Sequence, residues 1–474
     1  MHVLHARILE ARWSEPYPPS NEVWYEARSM PIRLGELMLL PATTGDPAGL
    51  HMLFATIALL VFTGGAWALA RAYGVRVGAL FVWCLPLAFG FLLVLGLFHF
   101  LIGVGACMAC AAIWARHRVL GWRSPLLLIA LTLLCVFAHR GVGLLFGLLV
   151  VCHEVVMRIG DRTACSLRWA RVPGMVRVLV PMIAIGALVS ALPFMSAWYN
   201  HPITPPSTGY APLHDLLGMR CMRLFAEADE RMVLNVAALL FALCLLLAIR
   251  GRIQRGRAVL PSDMPALAAL VLLVAAFVLH SDAARAFYAP ERAVTVALVL
   301  LVVWMALQPV KPWLAAIGAV LVLVLHVHRL RNAETVMASV QWKQQQANAV
   351  ADQLAPGSNA LTLLCEDNWL LGHVEAGAAA RHTGVLITHT MHVPYRWQGR
   401  WSARMRNYVA GVDTRLEWFA PHCETDTLPT LQHVIFFGHG NSACAAMHAE
   451  VDSSLARYYN KAFDNGYAVV WDKK

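Results

Sequence analysis

The sequence predicts a mainly α-helical membrane protein with about ten transmembrane helices, followed by a small α/β soluble domain. Of its 474 residues, 59% are hydrophobic and only 14% are charged, whereas soluble domains average about 25% charged residues. The apolar residues are concentrated between residues 49 and 330, in runs of the length that a bilayer requires. This composition excludes a cytosolic enzyme, a disordered chain and a secreted disulfide scaffold.

Ten apolar runs follow one another in residues 49–330, the predicted transmembrane domain. A membrane-spanning helix needs roughly 20 apolar residues. Two stretches, 77–115 and 124–157, are too long for one crossing and slightly short for two, and we interpret each as two short helices. The predicted runs are 49–71, 77–94, 97–115, 124–138, 141–157, 176–197, 231–250, 263–281, 293–309 and 312–328.

The placement of basic residues supports this interpretation and predicts an orientation. With ten crossings, the loops on one side hold fifteen arginines and lysines, and the short loops on the other side hold six. Cytoplasmic loops carry such an excess. Both chain ends are therefore expected outside the cytoplasm. The loop arginines also explain the net charge of +10 without nucleic acid as a partner.

The first 48 residues form a predicted extracytoplasmic juxtamembrane segment. No signal peptide or apolar run precedes residue 49. Either the segment crosses the membrane unaided, or the sequence begins downstream of a first membrane span, and the second expectation is favoured. The segment contains four arginines, which resist export: Arg7, Arg12, Arg28 and Arg33.

Residues 331–474 form a predicted extracytoplasmic α/β domain. Short apolar runs of strand type alternate with helical stretches, which indicates a helical layer packed on a mainly parallel sheet. The predicted strands are 360–364, 384–388, 433–437 and 467–471, and the predicted helices are 334–354, 372–381 and 454–463.

Cysteines and histidines give no metal or cofactor signal. Six of the eleven cysteines lie in apolar runs, where small soft side chains pack. In the tail, Cys423 and Cys444 could form a disulfide outside the cytoplasm, and buried thiols are an equal alternative. His389 and His392 are a single close pair, whereas structural zinc needs four ligands. We therefore expect no metal and no cofactor.

Ionisable residues at the external ends of the spans are the candidate binding residues, because such groups near the membrane mark function by default. His99, His139 and Arg140 lie in external turns, and Arg292 lies at the start of the ninth span. An arginine fork matches phosphate oxygens, and histidine can add a donor. The alternatives are interfacial snorkelling of Arg140, local hydrogen bonds of the histidines and ion pairing of Arg292 with a nearby carboxylate.

Parts of the chain resemble bacterial polytopic proteins related to GT-C-type glycosyltransferases. These parts are HARILEARW (5–13), MPIRLGELMLLP (30–41) and the paired short spans in 89–116. Proteins of that family use polyprenyl-phosphate sugars as donors, and an acidic residue precedes their histidine–arginine stretch. In this sequence the nearest carboxylates are Glu10 and Glu15, which do not match the family position.

The resemblance implies an external cavity that holds a lipid-linked sugar phosphate. Glu10 is then the expected catalytic base. The residues expected to bind the substrate are His5, Arg7, His99, His139, Arg140 and Arg292.

Three functions remain open at this stage. The first is a GT-C-like glycosyltransferase that acts on a lipid-linked sugar at the external face of the inner membrane. The second is a non-catalytic assembly protein whose tail binds partners. The third is a lipid or solute transporter, which predicts an internal repeat of spans, and the sequence shows none. Membrane lipids and a polyprenyl-phosphate sugar are the expected partners, and the oligomeric state is open.

Overall fold

The fold is described from a computed structural model. It describes residues 23–27, 47–73, 76–117, 124–138, 140–160, 216–224, 227–256, 259–278, 289–354, 359–364, 385–387, 397–401, 432–439, 449, 452–453 and 455–474.

Nine of the ten predicted apolar runs contain helix in the described part of the chain, and the run 176–197 lies outside it. Short 3-10 helices cover Ala79–Trp83, Arg220–Met222 and Pro261–Asp263. The α-helices are α1 (Pro47–Ala72), α2 (Cys84–Ala88), α3 (Phe91–Val94), α4 (Phe98–His117), α5 (Ser124–Ala138), α6 (Arg140–Gly160), α7 (Glu227–Gln254), α8 (Met264–Val278), α9 (Ala289–Ala306) and α10 (Pro312–Ala351).

Five helices within the described residues are long and apolar enough to cross a membrane. Together with the shorter apolar helices, they make this a mainly helical, membrane-embedded protein. The number of ten spans stays a prediction. The five long segments are Met52–Ala72, Phe98–His117, Gly141–Ile159, Glu230–Gln254 and Pro312–Val350, and the shorter ones are Ala79–Val94, Leu126–Ala138 and Pro261–Phe277.

Both overlong apolar stretches are interrupted where two helices were expected. In 77–115 the chain turns after α2 at Phe89 and again at Gly96, whose φ of 73° favours glycine. In 124–157, helix α5 ends at Ala138 and α6 begins at Arg140. Each stretch therefore contributes antiparallel helical segments instead of one long helix.

A two-stranded antiparallel ladder joins two segments that are far apart in the chain. Strand β1 (Val23–Ala27) precedes α1, and strand β4 (Trp397–Trp401) follows α10, yet the two strands pair residue by residue.

Five further strands form a mixed sheet. They are β2 (Asn359–Leu364), β3 (Val385–Ile387), β5 (His433–Phe437), β6 (Tyr459–Asp464) and β7 (Ala468–Lys473). Their order in the sheet is β3-β2-β5-β7-β6. Strands β3, β2 and β5 are parallel, whereas β7 and β6 are antiparallel to their neighbours, so the sheet is less parallel than predicted. The predicted strands at 360–364, 384–388, 433–437 and 467–471 are present.

The predicted helix over residues 454–463 is wrong in its second half, because residues 459–463 belong to β6. Asn465-Gly466, which follows the predicted helix, is the turn of the β6–β7 hairpin. Gly466 has a φ of 82°, and the Asn465 side-chain oxygen accepts hydrogen bonds from the amides of Tyr467 and Ala468 at 3.1 and 2.7 Å. Asn-Gly between two strand-forming runs favours a hairpin.

By its contacts, the chain divides into a helical unit and a sheet unit, and the division falls inside α10 between Ala333 and Glu334. The core of the sheet unit forms where α10 packs on the sheet. Ala347 and Val350 of the helix are fully buried against Ile435 and Phe437 of β5. The other predicted helix of this domain, 372–381, lies outside the described residues.

Helices α1 and α4 of the helical unit cross at two glycines. A Cβ atom on Gly65 would lie 2.0 Å from the carbonyl oxygen of Gly105, and a Cβ atom on Gly105 would lie 2.2 Å from that of Val61. Small residues allow membrane helices to approach so closely. The crossing fixes α4, whose first turn contributes to the site described next.

Candidate functional site

The two ends of the helical unit carry different sets of charged residues. At one end the last turns of α1 and α4 meet, where the Arg116 guanidinium donates to the carbonyl of Arg71 at 3.1 Å. The end of α9 joins them, because the Gly78 amide donates to the carbonyl of Ala306 at 2.8 Å. We call this the Arg252 end, and its described basic residues are Arg71, Arg76, Arg116, Arg158, Arg250, Arg252, Arg255 and Lys311.

The opposite end, which we call the Arg292 end, contains the first turns of α4, α7 and α9. Its described charged residues are Arg220, Arg223, Glu230, Arg231, Glu291 and Arg292, with Arg329 of α10. The two groups of basic residues that the charge pattern distinguishes therefore lie at opposite ends of the described helices. Which end faces the cytoplasm stays a prediction.

A bidentate ion pair dominates the Arg252 end. The Arg252 Nε and Nη2 atoms donate to the two Asp263 carboxylate oxygens at 2.8 and 2.7 Å. The same carboxylate accepts hydrogen bonds from the Trp304 indole at 3.1 Å and from the Leu260 amide at 2.9 Å. A carboxylate with this many donors is a structural link between α7, the following 3-10 helix and α9.

Arg292 lies at the start of α9, and its guanidinium lies over the ring of Phe100 at 5.0 Å. Phe100 is in the first turn of α4, directly after His99, and both His99 and Arg292 are half-buried. A guanidinium over an aromatic face gains a cation–π contact of about 0.5–2 kcal/mol and keeps its charge. The structure thus places two predicted binding residues, His99 and Arg292, at the same end of the bundle.

A second guanidinium–aromatic pair lies at the same end. The Arg223 guanidinium is 4.9 Å from the centre of the Phe91 ring, at the start of α3. Just beyond it, the buried carboxylate of Glu230 accepts the Leu224 amide at 2.9 and 3.2 Å. This carboxylate fixes the backbone that carries Arg223.

Arg329 of α10 is a buried guanidinium with 2% of its surface exposed. It donates to the carbonyls of Pro86 at 3.1 Å and Met222 at 3.0 Å, and also to the carbonyl of Phe89. These carbonyls belong to the short helix α2 (Pro86), to the turn that follows it (Phe89) and to the 3-10 helix Arg220–Met222. Irregular backbone at membrane depth requires hydrogen-bond partners within the protein. Arg329 therefore supplies hydrogen bonds that the interrupted helices lack.

The side chains of the other predicted site residues lie outside the described part of the structure. Arg140 is the first residue of α6, and its side chain lies outside the described residues. The catalytic prediction Glu10 also lies outside them, as do His5, Arg7 and His139, and so does the predicted cysteine pair Cys423 and Cys444.

Sequence reasoning missed the roles of Arg329, Arg223 and Glu230. Arg329 follows the last apolar run, where an arginine that anchors a helix at the interface gives the same signal. Arg223 and Glu230 lie between the predicted spans 176–197 and 231–250, where no spacing distinguishes them. Their roles depend on contacts with residues over 100 positions away or with irregular backbone, which no local pattern encodes.

Metal ligation finds no support in the described part of the chain, where no group of three His, Cys, Asp or Glu residues is arranged to hold an ion. The cysteines described there are free and buried. Cys107 and Cys110 both lie on α4, inside a candidate span, as expected for helix packing.

Two histidine–aspartate pairs lie at the ends of β5 in the sheet unit. His433 Nδ1 is 2.7 Å from Asp472 Oδ1, across the β5–β7 ladder. His439 Nε2 is 3.1 Å from Asp452 Oδ2, just beyond the strand. The carboxylates fix the orientation of the rings and stabilise both ends of the central strand.

Two titratable groups on β6 have shifted pKa values. Burial raises the pKa of the Tyr459 phenol. Partial burial also acts to raise the pKa of the Asp464 carboxyl, but the Lys461 ammonium and the Gly466 amide outweigh it and hold that pKa below its ordinary value. These contacts belong to the hairpin and not to a site.

Comparisons of the chain with known protein families, with curated proteins and with solved structures give no match. A functional assignment therefore depends on the residues of the Arg292 end.

Proposed function

We propose that the protein is a GT-C-like glycosyltransferase that binds a polyprenyl-phosphate sugar at the Arg292 end. The observation that carries the proposal is the position of Arg292, half-buried over Phe100, the residue that follows the predicted ligand His99. The proposal includes the predicted orientation, in which the Arg252 end faces the cytoplasm of a bacterial cell and the Arg292 end faces outward.

The chemistry of Arg292 suits a lipid phosphate. An aromatic ring orients a guanidinium without neutralising its charge, and a guanidinium fork matches two phosphate oxygens. A phosphate at this level would lie near the membrane surface, and the polyprenyl chain would stay in hydrocarbon. Arg223 over Phe91 offers a second cation of the same type.

The catalytic carboxylate is assigned separately from the phosphate ligands. Glu230 is engaged by the Leu224 amide, which supports a structural role. Glu10 therefore remains the proposed base, as the sequence suggests. Glu291 lies beside Arg292 in the first turn of α9, and we assign its carboxylate to the local electrostatics of the site.

Binding of a radiolabelled polyprenyl phosphate to the purified full chain in detergent tests the phosphate site. We expect Arg292→Ala to weaken binding about tenfold or more, since a charge-assisted hydrogen bond contributes about 1.5–3 kcal/mol. Arg292→Lys should retain part of the affinity. Arg255→Ala, which removes an exposed arginine at the opposite end, should leave it unchanged.

Equal affinities of wild type and Arg292→Ala would argue against the phosphate site. Sugar transfer from a polyprenyl-phosphate donor then tests catalysis, with Glu10→Gln as the variant that should bind the lipid but not transfer the sugar.

A transporter is the second candidate, and one observation favours it. The segment Ala79–Val94 is interrupted, and the buried charge of Arg329 satisfies the carbonyls at the interruption. Discontinuous helices with buried ionisable groups are typical of transporter binding sites. Movement of a fluorescent lipid across proteoliposomes by the wild-type protein, without sugar transfer, would favour this alternative.

A further inference from the structure

The outward face of α7 carries a groove of about 530 Å³ near the Arg292 end. Among the described residues, its lining comes from this helix, whose opposite face is buried in the bundle. The apolar part of the lining is strongly exposed: Met232 by 80%, Val236 by 47% and Leu239 by 63%. Further along α7, Leu243 and Leu246 continue the same exposed stripe. In a membrane-embedded helix, this stripe faces lipid chains.

The part of the groove nearest the start of α7 is polar. Arg231 and Asn235 are four residues apart, so they lie on one face of the helix, and both side chains are exposed. Neither makes an ion pair or a side-chain hydrogen bond with any other described residue. Arg231 is the second residue of the apolar segment Glu230–Gln254, and therefore lies at the membrane surface.

Asn235 is the more informative of the two residues. It lies more than one turn inside the apolar segment, about 7 Å along the axis from Glu230. An amide in an apolar environment costs roughly 2–7 kcal/mol unless it has a hydrogen-bond partner. Arginine can snorkel to water from this depth, but the short asparagine side chain cannot. An ester carbonyl of a lipid next to the helix can supply that acceptor.

We propose that this groove binds an anionic phospholipid of the surrounding bilayer. The Arg231 guanidinium binds the phosphate, the Asn235 amide donates to an ester carbonyl below it, and an acyl chain covers Met232, Val236 and Leu239. The charge of the groove is complementary to an anionic head group, and its polar and apolar parts follow each other in the order that a phospholipid requires. This site is separate from the Arg292 site and does not depend on the proposed enzyme.

Lipid retention by the purified full chain tests the site. The protein is reconstituted in bilayer nanodiscs of equal parts phosphatidylglycerol and phosphatidylcholine, extracted in mild detergent, and its bound lipids are counted by native mass spectrometry. We expect the wild type to retain phosphatidylglycerol in preference to phosphatidylcholine. Arg231→Ala should reduce that preference about fivefold, which corresponds to about 1 kcal/mol for a basic residue at the membrane surface.

Three further variants locate the effect. Arg231→Lys should keep most of the preference, because the positive charge remains. Asn235→Leu should lower retention of both lipids, because it removes a contact to the ester group that they share. Arg255→Ala, at the other end of the same helix, should change neither.

All four substitutions affect exposed side chains, so the variants should fold. Equal retention of the two lipids by the wild type would overturn the proposal. An Arg231→Ala variant that loses no more phosphatidylglycerol than Arg255→Ala would do the same, because binding would then reflect the general charge of the surface.

Discussion

The two ends of the helical unit use buried arginines in different ways. At the Arg252 end, the guanidinium of Arg252 meets the carboxylate of Asp263, and the pair links α7 to the next helices. At the Arg292 end, Arg329 is more deeply buried, and its described hydrogen bonds all go to backbone carbonyls. The first arginine balances a charge, and the second replaces hydrogen bonds that interrupted helices have lost.

This difference indicates which end of the helical unit is suited to bind a ligand. The Arg252–Asp263 ion pair stabilises the fold, and its charged groups have little capacity left to bind a ligand. Irregular backbone within an apolar bundle is costly, and membrane proteins retain it where it is buried or lines a cavity. The interrupted segments stabilised by Arg329 also carry Phe91, over which Arg223 lies, close to the proposed phosphate site.

Removal of the Arg329 side chain should have the largest effect on stability. Arg329→Ala leaves the carbonyls of Pro86, Phe89 and Met222 without their donor, and each unsatisfied buried group costs about 1–3 kcal/mol. We expect a loss of about 3–5 kcal/mol, seen as a strongly lowered melting temperature of the detergent-solubilised protein. Arg329→Lys should lose less, and an unchanged melting temperature for Arg329→Ala would contradict the role assigned here.

Disruption of the Arg252–Asp263 pair should have an intermediate effect. Both side chains are partly exposed, by 16% and 17%, and hydrogen bonds to charged groups contribute about 1.5–3 kcal/mol. Asp263→Asn should lower the melting temperature within that range and leave the binding of polyprenyl phosphate unchanged. A double-mutant cycle with Arg252→Met isolates the pair, and a coupling energy near zero would show that the two residues act independently.

The exposed pair Lys461–Asp464 on the β6–β7 hairpin should have the smallest effect. Asp464→Asn should cost less than about 0.5 kcal/mol at neutral pH, as for other exposed pairs. Because the pKa of Asp464 is lowered in the folded protein, its contribution is present above the unfolded pKa and disappears as the pH falls through the folded pKa. Amide hydrogen exchange in β6 and β7 should therefore differ between wild type and variant at neutral pH and converge in acid. A difference that persists in acid would exclude the carboxylate as its cause.

The sequence predicted the helical segments well, because apolar runs and their basic flanks are local signals. The interruptions at Phe89 and Gly96, and the end of α5 at Ala138 before α6, follow from the length of the two overlong stretches. The sequence also predicted four strands of the sheet unit, because short apolar runs are local signals too. It gave the wrong structure for residues 459–463, since an Asn-Gly pair is compatible with a helix end as well as a hairpin.

The candidate site was only partly predictable. His99 and Arg292 stood out because they are ionisable and lie at the ends of apolar runs, and the structure places both at one end of the bundle. Phe100 and Phe91 gave no signal, because phenylalanine in an apolar run is ordinary. Their role as platforms for Arg292 and Arg223 arises from contacts between distant segments.

By itself, the sequence determined that the chain is membrane-embedded, where its helical segments lie and that a sheet-containing tail follows, because hydrophobicity and charge are properties of each residue and its neighbours. The tertiary structure alone decided which arginines are paired with carboxylates, which support broken helices and which lie over aromatic rings. It also decided that β1 and β4 pair. These features depend on residues that are far apart in the chain and adjacent in space, where partner and burial set the energy of each charged group.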